Sequence, residues 1–136
     1  MEPTSRKYLF FDLDGTLTDS MPGIARAVQY ALRRFGIDVQ DLAALKPFLG
    51  PPLRDSFMEF YGMSPEEADR AVAVSREYFV PRGMFENELY PGIPELLAAT
   101  AAAGRVNVIA TSKPQPFAER IAAHFGIDRH FRLISG

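Results

Sequence analysis

Cysteine is absent from the 136-residue chain. That one absence excludes disulfides, thiolate metal sites and a cysteine nucleophile together, and it fits a reducing cytosol. An excess of either charge is also lacking. Fifteen Lys and Arg stand against 17 Asp and Glu, for a formal net charge of −2 and a pI near 5.7. No basic field exists to hold a nucleic-acid backbone. No apolar run approaches the length needed to cross a bilayer. The opening "MEPTSRKYLFFDLDG" has no charged segment leading into an apolar one and no small-residue cleavage site. The expectation is a cytoplasmic protein that meets neither nucleic acid nor membrane. Internal repeats and low-complexity segments are missing too. The two histidines, His124 and His130, read as structural.

What is present is patterned. "YLFF" (Tyr8 to Phe11) is a short apolar run without alternation, as expected of a parallel strand buried on both faces. From Pro22, Ile24, Ala27, Val28, Ala31, Leu32 and Phe35 fall on one helical stripe that ends at Gly36. "PPLRDSFMEFYG" repeats the arrangement with Leu53, Phe57 and Phe60, closing at Gly62. "SPEE" then supplies Ser64 as N-cap, Pro65 in the first turn and Glu67 three residues on, a capping box. Residues 22–80 therefore read as a small helical bundle. Phe57, Phe60, Tyr61, Tyr78 and Phe79 belong to its packing.

After Tyr90 the pattern changes. A helix from Pro94 to Ala103, a strand from Val106 to Ala110, a helix from Pro114 to Phe125 and a strand from Phe131 to Ile134 alternate. Such alternation implies an α/β fold with a parallel sheet and crossover helices. One strand comes first, an all-helical segment interrupts, and the α/β pattern resumes.

In open parallel sheets, ligands gather at the carboxyl ends of strands. Two strands end here in polar residues. The first runs into Asp12-Leu13-Asp14-Gly15-Thr16, the second into Thr111-Ser112-Lys113. A carboxylate at the Asp12 position, with a metal ion beside it, can attack phosphorus and form an acyl phosphate. Asp14, two residues on, is placed for general acid–base work on the leaving oxygen and then on water. Gly15 allows a turn sharp enough to bring backbone N–H groups onto phosphate oxygens, which makes Gly15 and Thr16 candidate phosphate-binding residues. Thr111 and Ser112 offer hydroxyl and N–H groups before a helix start, and Lys113 offers a positive charge. Plainer roles exist for each. Asp-Gly is a common turn pair, Thr111-Ser112 could cap the following helix, and a lysine beside a helix start is ordinarily solvated.

"DLDGT" resembles motif I of the haloacid dehalogenase superfamily, and "TSKP" resembles its motif II in phosphoglycolate-phosphatase-like members. "FLGPPL" and "GMFENELYPGI" look most like a bacterial branch described as 5′-nucleotidases. The resemblance implies a Rossmann-like parallel-sheet core over 1–18 and 90–136, with an inserted helical cap over 19–89. It makes Asp12 the nucleophile, Asp14 the acid/base and Thr111 a ligand of the transferred phosphoryl group. Magnesium would bind the Asp12 carboxylate and the Asp14 backbone carbonyl. Arg54, in the "GPPLR" loop where relatives meet the leaving group, becomes a candidate for specificity, although an exposed arginine on an amphipathic helix is often only that. The implied reaction is magnesium-dependent hydrolysis of a small phosphorylated metabolite. A nucleoside 5′-monophosphate is the first expectation, phosphoglycolate or another small organic phosphate the alternative.

The pattern also has a gap. The family carries a later lysine and an acidic pair that completes its magnesium site. After Thr111 the only acidic residues are Glu119, inside a helical stripe, and Asp128, in a short turn, and no lysine follows Lys113. The expectation is an N-terminal portion of a longer hydrolase, with an incomplete core, weak magnesium binding and reduced or no activity. A non-catalytic module is the rival. Without a strand beside "YLFF", its edge and apolar faces should lie open.

Overall fold

A computed structural model describes residues 7–136; the first six positions of the expected 1–18 segment lie outside them. In chain order the elements are β1 (Tyr8–Phe11), β2 (Thr18–Asp19), α1 (Met21–Arg34), a 3-10 helix (Leu42–Phe48), α2 (Leu53–Tyr61) and α3 (Pro65–Phe79). A short 3-10 turn (Gly83–Phe85), β3 (Glu88–Leu89), α4 (Ile93–Ala102), β4 (Val106–Ala110), α5 (Gln115–His124), a last 3-10 turn (Asp128–His130) and β5 (Phe131–Ser135) follow. The chain divides into two units. One is helical, Asp19–Glu88; the other joins the segment ending at Thr18 to Leu89–Gly136. β2 and β3, at the two crossings, pair with each other.

The second unit is α/β. Its sheet has the order β1-β4-β5, and both pairings are parallel. Tyr8 aligns with Val106 and Phe11 with Ile109; Val108 aligns with Leu133. Asn107, buried in the central strand, ties the sheet to its neighbours. Its Oδ1 accepts from Thr100 Oγ1 at 3.0 Å, and its Nδ2 donates to the carbonyls of Leu97 (3.4 Å) and His130 (3.2 Å). Thr100 and Leu97 lie on α4, so α4 covers the Asn107 face.

β1 departs from the reading of a strand buried on both faces and accords with the second expectation, that apolar residues of "YLFF" lie open. Tyr8 is 50% and Phe10 70% exposed. The cause is topological. Among the described residues β1 has β4 as its one neighbour in this sheet, and the order advances in a single direction. Right-handed crossovers in one direction carry their helices to the same face. Tyr8 and Phe10, aligned with Val106 and Val108, are out of phase with Asn107 and point the other way.

The helical unit is built as its periodicity dictates. Ile24, Ala27, Val28, Ala31 and Leu32 are buried along α1, and Gly36 takes the left-handed φ of 76° that ends it. The capping box of α3 is complete: Ser64 Oγ accepts from the Glu67 N–H at 3.1 Å, and Glu67 Oε1 accepts from the Ser64 N–H at 2.9 Å. These bonds, that of the Ser64 backbone first, hold the Glu67 carboxyl below its ordinary value. The stripe on α2 is narrower than its spacing suggests, since Phe57 is fully buried but Phe60 is 44% exposed. The 3-10 helix, interrupted by Pro47, sends Phe48 against Phe57, Phe60 and Tyr61, with ring centroids 5.1, 5.5 and 6.1 Å away. Gly23, early in the unit, and Gly83, near its end, bring their backbones together. A Cβ on Gly83 would lie 2.8 Å from the Gly23 carbonyl oxygen, and one on Gly23 would overlap the Gly83 carbonyl.

Candidate active site

Because β1 and β4 are adjacent and parallel, with Phe11 level with Ile109, the residues after each strand leave the sheet at the same edge. Asp12 to Thr16 and Thr111 to Lys113 are thereby neighbours.

The first loop winds around Leu13, which is fully buried. Its carbonyl accepts from the N–H groups of Thr16 (3.3 Å), Leu17 (3.0 Å) and Thr18 (3.2 Å). Gly15 has φ 79° and donates its N–H to the Thr18 carbonyl at 2.8 Å. The expected use of glycine for a sharp, left-handed turn is therefore met. The N–H groups of Gly15 and Thr16 close the turn internally, satisfying the loop's own backbone as it folds over Leu13.

The two aspartates occupy different surroundings. Asp12 is exposed, and its Oδ1 accepts from the Leu13 N–H at 2.7 Å. The Asp14 side chain is only 8% exposed. Its Oδ2 lies 3.4 Å from Nζ of Lys113, whose side chain is also 8% exposed. This nearly enclosed ion pair joins the two strand-end loops. Residue order gave no sign of it beyond the opposite charges at the two strand ends.

The second loop is held from behind. Thr111 donates its N–H to the Ser135 carbonyl at 3.0 Å, and its Oγ1 accepts from the Lys113 N–H at 3.1 Å. The Thr111 hydroxyl thus closes a local turn and does not cap α5, whose N-cap position is Pro114 with no side-chain cap. Ser112 is exposed beside it. Gly136 lies against the Lys113 carbonyl so closely that a Cβ there would collide with it.

Arg54 stands in the helical unit, on α2. Its Nε is 2.7 Å from Asp69 Oδ1 on α3, and its side chain is 46% exposed. Glu119 sits on α5, hydrogen-bonded by Gln115 Nε2 at 3.0 Å, and Asp128 lies in the last 3-10 turn. Among the described residues, no three His, Cys, Asp or Glu side chains gather as a metal site. The donors at the β1 end are carboxylate and carbonyl oxygens. That chemistry suits Mg²⁺, which takes one or two protein carboxylates and fills its shell with water and phosphate oxygens. No helix among the described residues is long and apolar enough to cross a membrane.

Comparison with known proteins gives a consistent picture. The sequence pattern of the family described as haloacid dehalogenase-like hydrolase matches residues 9–136. A 5′-nucleotidase of Pseudomonas aeruginosa is 52% identical over 128 residues, covering 94% of this chain and 58% of that protein. The tyrosine-protein kinase PtkA of Mycobacterium bovis is 39% identical, with 97% of this chain and 45% of that protein covered. A phosphoglycolate phosphatase of Yersinia pestis is 34% identical, with 93% and 56% covered. Among solved structures, a predicted phosphatase from Clostridium acetobutylicum superimposes with a TM-score of 0.93 at 48% identity. That match covers 94% of this chain and 59% of that one. The chain thus spans roughly half the length of the curated relatives it matches.

Proposed function

The chain belongs to the haloacid dehalogenase-like hydrolase family, and from that premise we propose that it acts in phosphomonoester hydrolysis through an aspartyl-phosphate. The observation that carries the reading is the meeting of two strand ends: Asp12 and Asp14 after β1, with Lys113 after β4 in contact with Asp14.

The chemistry follows from the residues. An Asp12 oxygen attacks the phosphorus in line, and the bond from phosphorus to the ester oxygen breaks. Asp14 gives its carboxyl proton to that leaving oxygen. Asp14, now a carboxylate, accepts a proton from water as the water oxygen attacks phosphorus. The bond from phosphorus to Asp12 breaks, phosphate departs and both aspartates are restored. Asp12 suits the first role because its carboxylate is exposed while one oxygen is oriented by the Leu13 N–H. Thr111 and Ser112 would bind the phosphoryl group at the end of β4.

Phosphatases of this family are generally metal-dependent, typically on Mg²⁺. In this chain the Asp12 carboxylate and the Asp14 backbone carbonyl would hold the ion. It would supply positive charge against the negative charge spread over the phosphoryl oxygens.

Asp19–Glu88 we read as the cap domain, and Arg54 as its contribution to specificity. A nucleoside 5′-monophosphate is the substrate class that the greater identity to the Pseudomonas 5′-nucleotidase supports, over the phosphoglycolate named for the Yersinia relative. A compartment without oxidising chemistry, the cytoplasm, fits the absence of cysteine.

The test is phosphate release from AMP and from phosphoglycolate with and without magnesium. Magnesium-dependent release with AMP preferred supports the reading. Preference for phosphoglycolate overturns the substrate class, and release from neither overturns hydrolysis by this chain and favours the non-catalytic module.

A further inference from the structure

We propose that Lys113 is the positioning residue of Asp14, holding the proton-shuttling carboxylate in a fixed place, and that its influence on the reaction passes through Asp14 more than through the substrate phosphate. The inference rests on the reading of Asp14 as acid and base.

The pair is nearly enclosed, each side chain 8% exposed, with Nζ and Oδ2 3.4 Å apart. At this separation the Lys113 ammonium can donate to the Asp14 carboxylate, or to the carbonyl oxygen of its acid form, so it holds the side chain in place on both sides of the proton transfer, and leaving the buried ammonium alone is costly. Both partners also project from anchored backbone. Asp14 bridges to Thr18 in a turn locked by the Gly15 N–H, 2.8 Å from the Thr18 carbonyl. On the Lys113 side, its N–H is bound by Thr111 Oγ1, Thr111 is bound to Ser135, and Gly136 lies against the Lys113 carbonyl. An ion pair between two rigid supports is a preorganised arrangement, the kind that keeps a reacting group within the narrow geometry catalysis needs. Asp12, by contrast, is exposed, and its Oδ1 accepts from the N–H of its neighbour Leu13. The lysine thus distinguishes the two carboxylates.

The experiment compares wild type with Lys113→Met and Lys113→Arg. In AMP hydrolysis Lys113→Met should lower kcat by about 100-fold, with KM and the Kd for inorganic phosphate within about twofold. Lys113→Arg should recover a large part of kcat, since guanidinium can also pair with a carboxylate. A crystal structure of Lys113→Met should show the Asp14 side chain displaced or spread over several positions. Two results overturn the proposal: phosphate binding weakened about tenfold with kcat retained, or Asp14 unmoved in the Lys113→Met crystal. Should wild type hydrolyse no phosphomonoester, the hydrolase reading falls, and the position of Asp14 still decides the present one. If Lys113→Met does not fold, Asp14→Asn/Lys113→Met removes both charges. Folding of that double variant supports the pair, and its failure alongside a stable Asp14→Asn contradicts it.

Discussion

A side chain's burial and partner separate residues that look alike in sequence. Asp12 and Asp14 share one loop and one chemical type, yet one is exposed and the other is enclosed against a lysine. Their presence at a strand mouth was legible from "DLDG" alone. The lysine contact was not, because it depends on β1 and β4 being neighbours in a particular register, which no local pattern encodes. The same holds for Arg54, whose partner Asp69 lies on the next helix. That pair is largely solvated, so its contribution to stability is small, at most about 1 kcal/mol. Arg54→Ala should therefore leave the urea midpoint almost unchanged while altering the ratio of AMP to phosphoglycolate hydrolysis. An unchanged ratio would remove Arg54 from substrate recognition.

Elements record how local rules compete with packing. α1, α2 and α3 follow from stripes and caps that the sequence displays, and the Ser64 capping box forms as its spacing requires. The 3-10 helix at Leu42–Phe48 was illegible because Pro47 and a short apolar cluster give no helical period. Equally illegible was the approach of Gly23 to Gly83, two glycines far apart in the chain whose missing side chains let backbones meet. Gly23→Ala should cost about 2 kcal/mol or more by forcing those segments apart, read as a lowered urea midpoint. A neutral substitution would mean the contact yields freely. Glu67 makes a pH prediction. Its carboxyl is held below the ordinary value of 4.5 by the Ser64 hydrogen bonds, so the folded state favours the ionised form. The resulting stability is present above the ordinary value and is lost as pH falls through the depressed one. The stability gap between wild type and Glu67→Ala should therefore narrow as acid is added below about pH 4.5. A gap that widens on acidification would reverse the assigned sign.

For the molecule as a whole, an α/β unit and a helical unit were both foreseeable from the switch between helix-only and alternating patterns. The exposure of β1 follows from its place at the edge of a three-stranded sheet, and "YLFF" read in isolation suggests the opposite. Family membership and two polar strand ends are the grounds for the proposed central event, transfer of a phosphoryl group to Asp12. The measurement that tests this most directly is chemical trapping during turnover. Borohydride added to the protein with AMP and magnesium reduces an acyl phosphate to an alcohol and converts the aspartate that carried it to homoserine. Peptide mass spectrometry should find homoserine at position 12, and none when AMP is omitted or when Asp12→Asn is used. Phosphate release with an unmodified Asp12, or homoserine at another aspartate, would contradict the account.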